Sequence, residues 1–239
     1  MRVAALYDVH GNLTALEAVL RDVPDDCMVL VGGDFVSGPQ PRETLTALRS
    51  LGHRACFIRG NADREVVEGV PEHSAPWVRE RLDPDALEFI DSLDHRLVLD
   101  VDGLGPTLFC HGSPRRDDEM ITAVTSPERL RELLDGVAER TIVCGHTHHQ
   151  FDRRAEEQRV VNAGSVGMAY EGRPGAFWAL FGPDVELRST AYDVDAGLAV
   201  AEDVGYPDVD SLREWLRDEI PTAAEVAEFF EQQALAASP

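Results

Sequence analysis

The sequence predicts an α/β layered core, and three observations carry that prediction. Apolar runs at Val3–Tyr7, Cys27–Val31 and Arg54–Ile58 have the length of buried strands. Stretches with helical periodicity fill the intervals between them, the alternation expected of an α/β domain. Glycine punctuates the run ends, with Gly32-Gly33 closing the second and Gly60 the third.

The elements follow in order. Asn12 opens the first helix, whose apolar positions are Leu13, Leu16, Ala18, Val19 and Leu20. Pro41 suits a helix first turn ahead of Leu45, Ala47, Leu48 and Leu51. Pro76–Leu93 reads as helical, offering Trp77, Leu82, Leu87, Phe89 and Ile90 for burial. Leu97–Val101 and Thr107–Cys110 flank Gly103 and Gly105 and read as a hairpin. Ser126 can cap a helix over Pro127–Leu134. Thr141–Cys144 is a further buried strand, and Gln150–Arg154 pairs with Gln158–Val161 around an acidic turn. Ala176–Phe181 and Val185–Thr190 form a hairpin turned at Gly182-Pro183-Asp184.

From Asp193 onward the character changes, with twelve acids against Arg213 and Arg217. Residues 1–192 are therefore expected to form the core domain. Residues 193–239 are expected as an acidic helical extension that packs one apolar stripe on it, drawn from Leu212, Trp215, Leu216, Val226, Phe229 and Phe230.

Composition excludes several functions. The 239 residues carry 44 acids against 22 basic side chains, all of them Arg, for a formal charge of −22. Binding along a nucleic-acid backbone needs clustered cations and is not expected. No apolar run approaches the roughly 18 residues that span a bilayer, so no membrane partner is expected. The first residues reach Asp8 and His10 too soon for a secretory apolar region of about 7–15 residues. Cys27, Cys56, Cys110 and Cys144 lie in or beside strand-like runs without CxxC spacing and read as reduced structural thiols. A cytoplasmic protein is expected.

Five segments of metal-ligand residue types follow apolar runs. They are Asp8-x-His10, Gly33-Asp34, Gly60-Asn61-Ala62-Asp63, His111-Gly112 and Gly145-His146-Thr147-His148. Each alone is an ordinary turn sequence. In α/β folds, however, ligands bind beyond the carboxyl ends of strands, so the five are expected to converge. The ordered set resembles the calcineurin-like metallophosphoesterase superfamily, and most of all its small bacterial and archaeal phosphodiesterase branch. That branch's later Asn-x-Gly-Ser-Val-Gly segment is matched by Asn162-Ala163-Gly164-Ser165-Val166-Gly167.

The resemblance implies a four-layer α-β-β-α sandwich of two mixed β-sheets flanked by helices. It implies one divalent cation on Asp8, His10 and His148 and a second on Asn61, His111 and His146, with Asp34 bridging. Two cations about 3.5–4 Å apart can generate a bridging hydroxide at neutral pH and neutralise phosphoryl oxygens. Mixed nitrogen and oxygen ligands suit Mn, Fe or Zn better than Mg or Ca, with Mn or Fe favoured. Asp34 and His111 thereby belong to the catalytic set. Asp63 fills the family's acidic position in that set and reads as an anchor rather than a ligand.

One position departs from the pattern. Many relatives place a proton-donating His after the Gly-Asn, where this chain has Ala62. Proton donation is worth roughly 10²–10⁴-fold, so either acidic leaving groups are favoured or another group donates, with His149 the nearest candidate. Arg64 and Arg115 are candidate phosphate clamps. Asn12 begins a helix whose first N–H groups can meet an anion. Ser165 reads as a loop-geometry residue, and His53, His73 and His95 as surface or structural.

The expected function is hydrolysis of small phosphoesters by a dinuclear centre, with nucleotide-like phosphodiesters preferred to phosphomonoesters. A phosphoprotein phosphatase and a non-catalytic interaction scaffold are the alternatives. The extension can serve as a lid, a limit on substrate size or a homodimer contact. The net charge should repel an anionic substrate, so metals and a few Arg must create a local positive site.

Overall fold

The computed structural model describes residues 1–71 and 74–236; His73 lies outside them. The chain runs β1 (Val3–Leu6), α1 (Leu13–Asp22), β2 (Met28–Gly32), α2 (Pro41–Arg49), β3 (Ala55–Ile58), α3 (Asn61–Glu68), α4 (Ala75–Arg79) and α5 (Pro84–Asp91). It continues through β4 (Arg96–Val101), β5 (Gly105–Cys110), α6 (Pro127–Leu133), β6 (Thr141–Cys144), β7 (Phe151–Ala155), β8 (Gln158–Asn162), β9 (Ala176–Phe181) and β10 (Val185–Thr190). The last elements are α7 (Val194–Asp203), α8 (Val209–Arg213), a π-helical turn over Glu214–Asp218, and α9 (Ala223–Ala236).

The strands form two five-stranded sheets, ordered β10-β9-β1-β2-β3 and β4-β5-β6-β8-β7. Both are mixed. β1, β2 and β3 run parallel while β9 is antiparallel to β1. In the second sheet β5, β6 and β8 run parallel, and β4 and β7 are antiparallel edges.

Side-chain alternation along the strands produces the layers. Ala4, Leu6, Val29 and Val31 face Leu16, Val19, Leu45 and Leu48 of the helices. Val3, Ala5, Tyr7 and Leu30 point the other way and meet Phe109, Val143 and Val161 of the second sheet. The far side of that sheet, with Leu108, Ile142 and Val160, is covered by Leu130 and Leu133 of α6. The result is the expected helix–sheet–sheet–helix order. Truncating a buried Leu30 to Ala would cost roughly 2–5 kcal/mol by lost transfer energy and an unfilled void.

The structure refines two local readings. The helical stretch 76–93 is divided into α4 and α5, and Asp83 caps the second through Ala86 N–H at 2.8 Å, with Pro84 in its first turn. The Gly60-Asn61 turn also proves to be the start of α3. Asn12 does cap α1, accepting from Ala15 N–H at 3.1 Å.

Leu198, Ala201, Tyr206, Leu212 and Leu216 of the C-terminal elements pack with Trp77 and Met168. The apolar stripe expected farther on differs: α9 buries Val226, Ala227 and Ala234, while Phe229 is 55% exposed. Among the described residues no helix is long and apolar enough to cross a membrane. All four cysteines are unpaired, with Cys56 half-buried and the others buried.

Candidate metal centre

The parallel strands deliver all five segments to one place. Asp8 follows β1, Asp34 follows β2, Asn61 opens α3 after β3, His111 follows β5, and His146 and His148 follow β6. Backbone hydrogen bonds stitch these loops together. Asp8 N–H donates to Gly33 O (3.1 Å), His10 N–H to Asp34 O (2.9 Å), and Gly145 N–H to His111 O (2.9 Å).

The side chains form two groups, Asp8 with His10 and His148, and Asp34 with His111 and His146. Within each, the donor atoms lie within 4.8 Å of one another. Asn61 joins the second group, its Oδ1 standing 3.2 Å from His111 Nε2. The seven residues expected as ligands are thus brought together.

The ring tautomers follow from the hydrogen bonds. Nδ1 of His10, His111 and His148 lies against the carbonyls of Ser37 (3.1 Å), Gly32 (2.8 Å) and Met168 (2.8 Å). A carbonyl only accepts, so each Nδ1 carries the proton, and in the neutral ring Nε2 offers a lone pair to the centre. His10 and His148 bring their Nε2 atoms to 3.1 Å of each other. Asp8 Oδ1 lies 3.4 Å from His148 Nε2 and 3.9 Å from those of His10 and His111.

Two of these atoms, Asp8 Oδ1 and His146 Nε2, are buried without a hydrogen-bond partner in the structure. Facing lone pairs and an orphaned buried carboxylate oxygen are unfavourable by themselves. Divalent cations turn both into binding, so the donor set fits the metals that the sequence implies.

The buried charges of the cluster act strongly on one another. Burial opposes a charged Asp34, yet the His111, His10 and His146 rings hold its carboxyl well below the usual range. Burial likewise opposes His111 imidazolium, but the Asp34 and Asp8 charges push it up to about 10. His146 falls to about 4 through burial and repulsion by His111.

The ligand positions are also strained. Of the six described non-glycine residues with positive φ, five are Asp8 (52°), His10 (46°), Asp34 (52°), His146 (66°) and His148 (56°). That conformation costs on the order of 1–3 kcal/mol per residue and persists only where surroundings enforce it. Glycines make the close approach: a Cβ on Gly60 would fall 2.0 Å from Asp34 Oδ1, and one on Gly33 2.5 Å from His111 Nδ1.

Other candidates are occupied elsewhere. Asp63 accepts from four backbone N–H groups, those of Asp34 (2.7 Å), Phe35 (3.0 Å), Val36 (3.2 Å) and Gly60 (3.2 Å). Burial and the Asp34 charge push its carboxyl up to about 7 against the pull of those donors. Asn12 spends its amide on Ala15 N–H, Gly167 O and Tyr192 OH. Arg64 is paired with Asp117 at 2.8 Å and Arg115 with Glu119 at 3.0 Å. His149 is buried, with Nδ1 on Thr147 O and Nε2 accepting from Ala123 N–H. Both its nitrogens are engaged outside the cluster, and the geometry gives it no proton to donate there. Ser165 Oγ donates to Asp8 O (2.8 Å) and accepts from Met168 N–H (2.8 Å), which fixes the loop.

A cavity of ≈ 290 Å³ opens beside the cluster, and sequence reasoning missed it. His10 and Ala62 line its inner end, and Tyr206, Asp208, Ser211, Leu212 and Trp215 its outer wall. Tyr170 stacks on His148 (5.0 Å, 26°) and meets Trp215 edge to face (6.4 Å, 85°).

The family model for the calcineurin-like phosphoesterase superfamily domain matches residues 1–181. The chain belongs to that superfamily. A metallophosphoesterase from Sphaerobacter thermophilus superposes on this phosphoesterase with a TM-score of 0.76 at 26% identity, covering 95% of this chain and all of that one. A symmetrical bis(5'-nucleosyl)-tetraphosphatase of Thioalkalivibrio sulfidiphilus is 29% identical, over 73% of this chain and 74% of its own. The like-named protein of Pectobacterium atrosepticum is 29% identical over 53% of this chain, and the match spans only about half (48%) of its own length. Membership supports a hydrolase and implies divalent metal ions, for which the two groups are candidate ligands.

Proposed function

We propose that the protein is a dinuclear metal-dependent phosphoesterase that cleaves phosphodiester or phosphoanhydride bonds in small, nucleotide-like substrates. The carrying observation is the pair of donor groups sharing one centre, with imidazole lone pairs turned inward and Asp8 Oδ1 unpartnered. When bound, a pair of divalent cations, Mn or Fe before Zn, supplies Lewis acidity toward phosphoryl oxygens and acidifies water.

The chain's own residues do the rest. Asp8, His10 and His148 would hold one ion and Asn61, His111 and His146 the other, with Asp34 shared between the two groups. The Nδ1–H bonds to Ser37, Gly32 and Met168 fix three of the rings in the ligating tautomer. Ala62 places no acid at the leaving group, so the site suits groups that depart as stabilised anions, a nucleoside phosphate above all. The cavity of ≈ 290 Å³ has the size of a small molecule, which favours a small substrate over a phosphoprotein. Unpaired, buried Cys110 and Cys144 fit a reducing compartment such as the cytoplasm.

The test is metal content after chelator-free purification, followed by turnover with Mn, Fe and Zn. The panel is bis(p-nitrophenyl) phosphate, p-nitrophenyl phosphate, a phosphopeptide and diadenosine tetraphosphate. Two ions per chain and fastest turnover of the diester or the tetraphosphate are expected. A monoester preference of about tenfold or more in kcat/KM would overturn the substrate reading. A chain that binds no metal and turns over nothing would overturn the enzyme reading.

A further inference from the structure

The cavity beside the cluster has an outer wall that the chemistry above does not use. Trp215 stays 36% exposed there despite its large apolar ring. It sits in the π-helical turn Glu214–Asp218, closed by Glu219 N–H to Glu214 O at 2.8 Å. Such turns interrupt regular helix and recur at functional sites. Through Tyr170 the indole joins an aromatic row that ends on the ligand His148.

The polar lining has one sign. Glu65, Asp208 and Ser211 line the cavity, and among the described residues no arginine does. Carboxylates would repel a phosphate but accept hydrogen bonds from N–H groups. A flat aromatic surface beside N–H acceptors, one end opening on a phosphate-handling centre, matches a nucleobase. Ala62 and the candidate ligand His10 line the same cavity as Trp215 and Asp208.

We propose that this wall binds the base of a nucleotide substrate, Trp215 stacking on the ring and Asp208 accepting from its N–H edge, while the phosphates lie at the ligand cluster. This rests on the phosphoesterase reading and adds the specificity-determining residues to it. Trp215 and Asp208 position substrate and take no part in bond breaking. The C-terminal segment thereby selects what the core cleaves.

Calorimetric binding of AMP, GMP and ribose 5-phosphate to the full, Mn-loaded chain tests it. Ribose 5-phosphate carries the same phosphate and sugar without a base. At least one of AMP and GMP should bind about tenfold or more tighter than ribose 5-phosphate, as base stacking on an aromatic side chain implies. Trp215→Ala should erase that preference and leave ribose 5-phosphate affinity unchanged, while Trp215→Phe keeps most of it. Asp208→Asn should weaken the preferred nucleotide about threefold or more, the loss of a charge-assisted hydrogen bond.

Equal affinity of the three ligands for the unmodified chain overturns the proposal and leaves the phosphoesterase reading standing. So does Trp215→Ala weakening all three alike, which marks a structural role. Failure of all three to bind, together with no turnover of any phosphoester, overturns both.

Discussion

The ring of loops at the strand ends and the C-terminal cover are held by different physics. In the ring, five ligand residues sit at positive φ and neighbouring loops are bound to one another through backbone hydrogen bonds. Each ligand's orientation is fixed several times over, as metal-binding residues require. In the cover, α7, α8 and the turn after them rest on one apolar cluster and on side-chain contacts such as Tyr206 OH to Ser74 Oγ at 2.9 Å, while α9 buries only Val226, Ala227 and Ala234. Under the proposed function, chemistry belongs to the tightly tied ring and selection to the cover. A strained site cannot be varied cheaply, whereas a cover can change its lining without disturbing the ligands.

The sharpest way to break this contrast is Asp34→Asn. Asn keeps an Oδ1 acceptor for Ala62 N–H, a bond of 2.8 Å, so the loop should hold while the shared charge disappears. Loss of at least one metal and a fall in kcat of at least about 100-fold are expected, since groups merely supporting a ligand already cost 10–100-fold. Two retained metals with full turnover would show that Asp34 does not bridge. Asp63→Ala comes next and should act on stability. It leaves four buried N–H groups without an acceptor, including those of Asp34, Phe35 and Val36. A loss of at least about 3 kcal/mol by urea unfolding is expected; a change below about 1 kcal/mol would mean that the ring is not held through this carboxylate.

The two regions also differed in how far the sequence revealed them. Strands such as Thr141–Cys144 and Ala176–Phe181 were legible because buried strands are short apolar runs, and the ligands were legible because their residue types follow those runs in a fixed order. Helix α3 was not, since Gly60-Asn61 carries a strong turn signal and the Asp63 side chain that stabilises the first turn looks like any acid. The positive φ of Asp8 and His146 is imposed by the other loops, and no local pattern announces it. Phe229 was misread because α9 buries small residues and Val226, leaving the larger ring outside. The cavity is lined jointly by Ala62, Tyr206 and Trp215, residues about 150 positions apart whose juxtaposition periodicity does not encode.

Ser165→Ala sharpens the comparison from within the ring. Its hydroxyl ties Asp8 O to Met168 N–H, so its removal should cost about 1–3 kcal/mol in unfolding experiments. With metals retained, kcat should stay within about threefold, because geometry is all that Ser165 contributes. A collapse of turnover at full metal occupancy would instead make this hydroxyl part of the chemistry.

The smallest effect belongs to the outer edge of the cover. Glu231 of α9 accepts from Thr122 Oγ1 (2.9 Å) and Thr125 Oγ1 (2.6 Å), and lies 3.6 Å from Arg129. Its side chain is only 13% exposed, so this latch is screened less than a surface ion pair. Glu231→Gln keeps an acceptor for the two hydroxyls and loses only the charge, and should cost about 1 kcal/mol or less. Glu231→Ala removes the acceptor as well and should free α9 locally. Hydrogen exchange across 223–236 should then speed up while the amides of the ligand loops keep their protection, the behaviour of a unit that opens on its own. If exchange at Asp34 and His146 rose in step with α9, the cover and the ring would be one cooperative unit, and the division between a rigid chemistry and an adaptable selector would fail.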